Sequence, residues 1–261
     1  MILQSEPAAG LDMATILIPI PETDFDPTET GVPWRALRQT GHRIVFATPN
    51  GNAGRADHRM LSGEGLGIFG PLMRADENGR SAYREMSESE EFRRPLSFGD
   101  IRAENFDALL LPGGHAPGMR QYLESGLLQS IVSGFFARGQ PVGAICHGVL
   151  LAARSRRTDG KSVLYGKKTT ALTKFMELSG WTLTCLRLGN YFRTYPVTVE
   201  DEVRAALAAR EDFIRGPISF VRDAPGNLKA GFTVRDGNYL SARWPGDTHR
   251  FANDFASMLD T

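Results

Sequence analysis

Pro141-Val142-Gly143-Ala144-Ile145-Cys146-His147-Gly148-Val149-Leu150-Leu151-Ala152-Ala153 decides how the rest of this chain reads. A β-prone apolar stretch meets a thiol and an imidazole and continues into small and helix-forming residues: the pattern of a strand, a sharp turn and a helix, with Cys146 at the turn. Such an elbow holds its central residue in strained dihedrals and needs small neighbours, which Gly143, Ala144 and Gly148 supply. The thiol then points out of the sheet at a helix N-terminus. Unpaired N–H groups and the positive dipole end favour thiolate there, so a lowered thiol pKa is expected. A small buried cysteine ending a strand, with His147 only capping the helix, is the alternative.

Outward from the elbow the chain alternates strand and helix patterns. Ala14–Ile20 is a short β-branched apolar run, Pro33–Gln39 reads as a helix closed by Gly41, and His42–Ala47 is the next strand, ending in the turn Thr48-Pro49-Asn50-Gly51. Phe106–Leu111 has the near-continuous apolar run of a strand covered on both faces and stops at Pro112-Gly113-Gly114. A helix over Leu127–Arg138 leads into the strand of Cys146. Further on, Lys167–Ala171 suggests a strand and Val199–Arg210 an amphipathic helix. Phe232–Ala242 reads as a hairpin turning at Asp236-Gly237-Asn238, and Asp247 can N-cap a last helix reaching Leu259. This order predicts an α/β fold, a doubly wound, mostly parallel sheet flanked by helices. Ligands in such sheets bind at the carboxyl ends of the strands, where Gly113, Gly114 and Cys146 would emerge together.

The chain reads as one domain over 1–261 with an insertion at 52–102. That insertion is Gly-rich and charged, too long for a plain loop, and is expected to carry helical pieces as a cap over the site; an irregular surface excursion is the alternative. Thirty basic and thirty acidic residues cancel, so no global field recruits nucleic acid or an anionic membrane. Two cysteines, Cys146 and Cys185, an opening without a basic and apolar leader, and no long apolar run make a reducing cytoplasm the expected compartment. A Cys146–Cys185 disulfide is not expected there.

A thiolate attacking a carbonyl creates an oxyanion, which needs donors fixed where the charge develops. The amide of His147 is one by elbow geometry, and Gly113 or Gly114 could supply another; a plain tight turn is the alternative for that glycine pair. His147 can act as base or ion-pair partner if a carboxylate or carbonyl orients its ring. Arg193, Tyr195 and Trp244 stand near predicted strand ends, where they are either pocket-shaping or surface-packing residues.

Leu110-Leu111-Pro112-Gly113-Gly114-His115, the Ala144–Gly148 elbow, and Gly160-Lys161-Ser162 with Gly166-Lys167-Lys168-Thr169-Thr170 resemble the ThiJ/PfpI superfamily, which has the flavodoxin-like, class I glutamine amidotransferase-like fold. The insertion resembles the cap-bearing branch that includes heat-shock glyoxalases. The resemblance implies a catalytic Cys146 and His147, with no cofactor and no metal. It also implies a Glu contacting the sulfur, matched by Glu29 in Glu29-Thr30-Gly31-Val32-Pro33-Trp34, with Glu22 and Asp24 as competitors; His115, beside Gly113 and Gly114, either lines the pocket or is an exposed loop histidine. In the glyoxalase branch a separate acid orients the elbow histidine. The corresponding stretch here holds Lys174 near the acid's place and Glu177 a turn further on, so Glu177 is the candidate. The only late histidine, His249, is followed by Arg250 and Phe251 rather than by the His-x-Glu of glutamine amidotransferases, which disfavours amide transfer.

Two function classes follow. One is a cofactor-independent cysteine hydrolase or lyase acting on small reactive carbonyls, with an amidase or peptidase as its nearest variant. The other is a non-catalytic stress-response protein, either a redox sensor oxidised at Cys146 or a holdase. A small-molecule substrate is the expected partner of the first, and a homodimer is common in the family the motifs resemble.

Overall fold

The computed structural model describes residues 13–260. Its strands are β1 (Thr15–Pro19), β2 (Thr23–Phe25), β3 (Arg43–Thr48), β4 (Arg55–Ala56), β5 (Leu96–Ser97), β6 (Ala108–Leu111), β7 (Val142–Ile145), β8 (Thr233–Asp236) and β9 (Tyr239–Ala242). Seven form one sheet in the order β5-β3-β1-β6-β7-β9-β8, parallel except for the β8–β9 hairpin, and β2 pairs with β4 apart from it. Every residue of β6, β7 and β9 is buried. A parallel strand covered on both faces requires an unbroken apolar run, and Ala-Leu-Leu-Leu of β6 is such a run.

The helices are α1 (Pro27–Gln39), α2 (His58–Ser62), α3 (Gly70–Met73), α4 (Glu77–Glu88), α5 (Glu90–Arg93), α6 (Arg120–Leu123), α7 (Gly126–Ala137), α8 (Gly148–Arg154), α9 (Lys174–Leu188), α10 (Val199–Ala206) and α11 (Thr248–Leu259). α1 packs between α4 and α11, while α8 packs against α7 and α10. Chain order reverses between β1 and β6, so the crevice outside their carboxyl ends is where this architecture places a ligand. Within 52–102, β5 extends the sheet edge beside β3 and α4 lies on α1. Among the described residues no helix is long and apolar enough to cross a membrane.

Several elements depart from the sequence reading. Helix α1 begins at Pro27, not Pro33: Asp26 accepts from the amides of Thr28 and Glu29 at 2.8 and 3.0 Å, and Pro27 fills the first helical position, where its missing N–H costs nothing. Pro33 therefore lies inside the helix, removing the amide that would bond the Glu29 carbonyl. Lys167–Ala171 makes only an isolated bridge, Thr169 to Phe213. The amide of Thr170 donates to the Ser241 hydroxyl at 2.9 Å instead of to a strand, so no ladder propagates. Helix α10 stops at Ala206. Asp247 sits at the N-cap of α11, but its carboxylate is taken by Arg243. Asp223 accepts from the His249 and Arg250 amides in its place.

Candidate active site

Cys146 follows directly on β7 with φ +56°, a left-handed conformation that a side chain tolerates only when surrounding structure imposes it. The imposed shape is visible next door. A Cβ on Gly148 would collide with the Leu111 carbonyl, so only glycine lets α8 start against the end of β6. A Cβ on Gly113 would sit 2.6 Å from Glu29 Oε2 and 2.8 Å from the His147 nitrogen. Strand ends β6 and β7 and the first turn of α1 thus close on one another around the sulfur.

Glu29 is fully buried, and its Oε2 accepts from the Gly113 amide at 2.9 Å. Its neighbour is the Cys146 thiol, although Oε1 falls short of a conventional hydrogen bond to any group. Burial, then the charge of Asp26, push the Glu29 carboxyl well above the usual range, which favours its protonated form. Asp26 is itself raised to about 6, chiefly by burial.

The thiol departs from expectation. Burial, followed by the carboxyls of Glu29 and Asp26, pushes Cys146 well above the ordinary thiol value, and the hydrogen bond from the His147 amide only partly offsets this. Cys146 is only 5 % exposed, and desolvation outweighs the helix-terminus effect expected to lower it. Cys146 and Cys185 are both free thiols.

His147 Nδ1 lies 3.4 Å from Sγ, and its Nε2 lies 3.1 Å from Thr194 Oγ1. That hydroxyl donates its one proton to the His115 carbonyl at 2.6 Å, so toward the ring it can only accept. Nε2 therefore carries the hydrogen and Nδ1 presents a bare lone pair to the sulfur. Burial lowers His147 to about 3, which keeps the resting ring neutral. A directed relay results: Glu29 carboxyl, Cys146 thiol, His147 Nδ1, then Nε2–H to Thr194 and on to a carbonyl.

These groups open onto a cavity of about 200 Å³ whose lining includes Asp26, Glu29, Gly114, His115, Cys146 and Glu177. Of the predicted residues, Glu29, Cys146 and His147 come together. Glu177 reaches the cavity but not His147: its carboxylate accepts from the Val199 amide at 2.8 Å and pairs with Arg193 at 3.2 Å. Burial raises it to about 7. Lys174 pairs with Asp201. The amide of Gly113 is committed to Glu29, leaving Gly114 as the glycine that lines the cavity. The His115 ring stacks on Phe192 at 4.1 Å between centroids, and burial lowers its pKa. Glu22 accepts from Asn50 and Asp24 from the Gly118 amide, and neither lines the cavity. Trp244 lines it; Tyr195 instead bonds Arg154 and Glu124. Sequence reasoning missed Asp26 and Thr194. Asp26-Pro27 carried a helix-start signal, whereas nothing local marks Thr194, which lies in an irregular segment and reaches His147 only through the fold.

Comparison with known proteins bears on the family and the fold. A deglycase of Thermococcus kodakarensis is 27% identical over 213 residues, 77% of this chain and 97% of that protein. A glutathione-independent glyoxalase of Schizosaccharomyces pombe is 26% identical over 239 residues, 89% of this chain and 87% of that one. An uncharacterised S. pombe protein is 32% identical over 120 residues, but these span only 45% of this chain and 43% of that protein. The crystal structure of glyoxalase III from Candida albicans superposes with a TM-score of 0.63 at 21% identity, over 95% of this chain and 98% of that one, which shows the fold. The family model described as ThiJ/PfpI family-like matches residues 20–217, the span holding Glu29, Gly113, the Cys146 elbow and Thr194, and the chain belongs to that family.

Proposed function

We propose that this protein is a cofactor-independent enzyme that converts small 2-oxoaldehydes into 2-hydroxy acids at Cys146. The observation that carries this reading is the juxtaposition of the buried Glu29 carboxyl and a bare His147 Nδ1 about one sulfur at the wall of a partly open cavity. The deglycase and glyoxalase names of its relatives support the same class of substrate.

Sγ adds to the aldehyde carbon while the thiol proton passes to His147 Nδ1 and on to the new alkoxide, giving a hemithioacetal. The amide of His147, with that of Gly114, stabilises the oxyanion. His147 Nδ1 then takes the C1 proton while the Glu29 carboxyl protonates the C2 oxygen, giving an enediol; the Glu29 carboxylate takes back the C1 hydroxyl proton as the imidazolium delivers its own to C2, which leaves the 2-hydroxy thioester and returns both side chains to their starting forms. Water hydrolyses the thioester, releasing the 2-hydroxy acid and restoring the thiol. C1 is oxidised as C2 is reduced, so no outside electron acceptor is needed. The sensor alternative has less support, because burial keeps the sulfur as the less oxidisable thiol.

The test is lactate formation from methylglyoxal without glutathione. Wild-type protein should turn over, and Cys146→Ala should lose at least about a thousandfold in kcat/KM. Equal rates for the two proteins would reject the reading.

A further inference from the structure

The cavity is larger and greasier than a three-carbon substrate requires. Beyond the polar end around Cys146 its wall is built by Met60, Met73, Leu172, Met176, Phe192 and Trp244. An apolar cavity of roughly 150 Å³ holds benzene and stays dry without it, whereas the space here is about 200 Å³. Methylglyoxal would leave most of that wall without contact. Charge points the same way. Among the described residues, the one lysine or arginine lining the cavity is Arg222, and its Nη2 faces the Leu72, Met73 and Arg74 carbonyls at 3.2–3.5 Å while its guanidinium lies 5.4 Å from the Trp244 ring centroid. Its Nη1 is buried without a hydrogen-bond partner, but Asp26, Glu29 and Glu177 line the same cavity, so one cation stands among three carboxyl groups and an anionic substrate is disfavoured there.

We propose that the preferred substrates are neutral 2-oxoaldehydes bearing a branched aliphatic or aromatic group of about four to seven carbons, which fills the chamber between α9 and the Met60–Met73 wall while the aldehyde meets Cys146. This rests on the reading of Cys146 as the nucleophile. The overall reaction is R–CO–CHO plus water to R–CHOH–COOH, with R buried throughout. Each buried methylene favours binding by about fourfold, so a side chain longer than methyl gains selectivity wherever the wall contacts it.

Gly180 provides the lever. It lies inside α9 and lines the cavity, and a Cβ there would meet Phe192 and Met73 at 3.6 and 3.7 Å, ordinary contact distances, so a larger side chain grows into the chamber. The experiment compares kcat/KM for methylglyoxal, 4-methyl-2-oxopentanal and 3-deoxyglucosone, the last two matched in carbon count but opposite in polarity, in wild type, Gly180→Leu and Leu183→Trp. Leu183→Trp narrows the mouth from the half-exposed side of the same helix, as a second variant should Gly180→Leu fold poorly. The expected result is at least a tenfold preference for 4-methyl-2-oxopentanal over both other compounds in wild type, collapsing toward unity in the narrowed variants. Equal kcat/KM values in wild type, or an unchanged preference in both variants, overturn the inference and leave the nucleophile intact. No turnover of any of the three would overturn the nucleophile reading and this inference with it.

Discussion

A bare Nδ1 facing a thiol is the least replaceable feature of the site, and one hydroxyl fixes it. Thr194 accepts from His147 Nε2 only because its own hydrogen is committed to the His115 carbonyl. Thr194→Val, equal in size, removes that acceptor and leaves the ring free to take the other tautomer. An expected loss of about ten- to a hundredfold in kcat follows, with KM little changed and Thr194→Ser restoring most of the rate. A merely structural hydroxyl would lower stability without this split between the valine and serine variants. The pH profile reads the same chemistry. His147 stays neutral down to about 3, so no acid limb near pH 6 belongs to it, and the raised thiol keeps the proton that His147 removes during attack. Log kcat/KM should stay level from pH 6 to pH 8, and a rise of about one log unit per pH unit across that range would show that pre-formed thiolate attacks instead. The cysteine, its histidine and the glycine turn were legible in sequence because the elbow writes its steric needs into adjacent residues. Thr194 was not, because its role is set by a contact across 47 positions of chain.

Two helices show how elements carry the site. α1 begins at Pro27, capped by Asp26, whose hold on the amides of Thr28 and Glu29 is of a kind worth about 1 kcal/mol, and this early start puts Glu29 in the first turn, next to the sulfur. Reading Pro33 as a helix start hid that geometry: proline is tolerated at the beginning of a helix, and here Pro27 already holds that place. α9 was missed altogether in sequence, its pattern broken by Gly180 and by a weak apolar stripe, yet it supplies the cavity wall and Glu177. Glu177 caps α10 rather than orienting His147. Its folded-state pKa of about 7 lies above the ordinary 4.5, so its contribution to stability is full at low pH and is lost as pH rises through 7. Glu177→Gln keeps an acceptor for the Val199 amide and does not titrate. Its Tm relative to wild type should therefore rise by a few degrees between pH 5 and pH 8; a constant difference would show that the carboxyl is not held in its protonated form.

At the scale of the whole molecule, the parallel sheet and its reversal between β1 and β6 follow from apolar runs that no half-exposed strand would carry, and they fix where the site must open. What closes the far side is a buried ion pair. Arg243, just after β9, and Asp247, just before α11, are both fully buried and joined by two hydrogen bonds of 2.8 Å, while the guanidinium also donates to the Pro217 carbonyl. Asp247 accepts from the Phe232 amide as well. The pair thus ties the sheet, the last helix and the segment that brings Phe220 and Arg222 to the cavity. Asp247→Ala would strand a buried guanidinium and an orphan amide, a loss of about 3–5 kcal/mol, or roughly 6–20 °C in Tm for a chain of this size. Asp247→Asn keeps one acceptor and removes only the charge, so it should fall between the alanine variant and wild type. If alanine cost no more than about 1 kcal/mol, the guanidinium would have to find solvent or another partner, and the 213–232 segment would not be anchored through this pair.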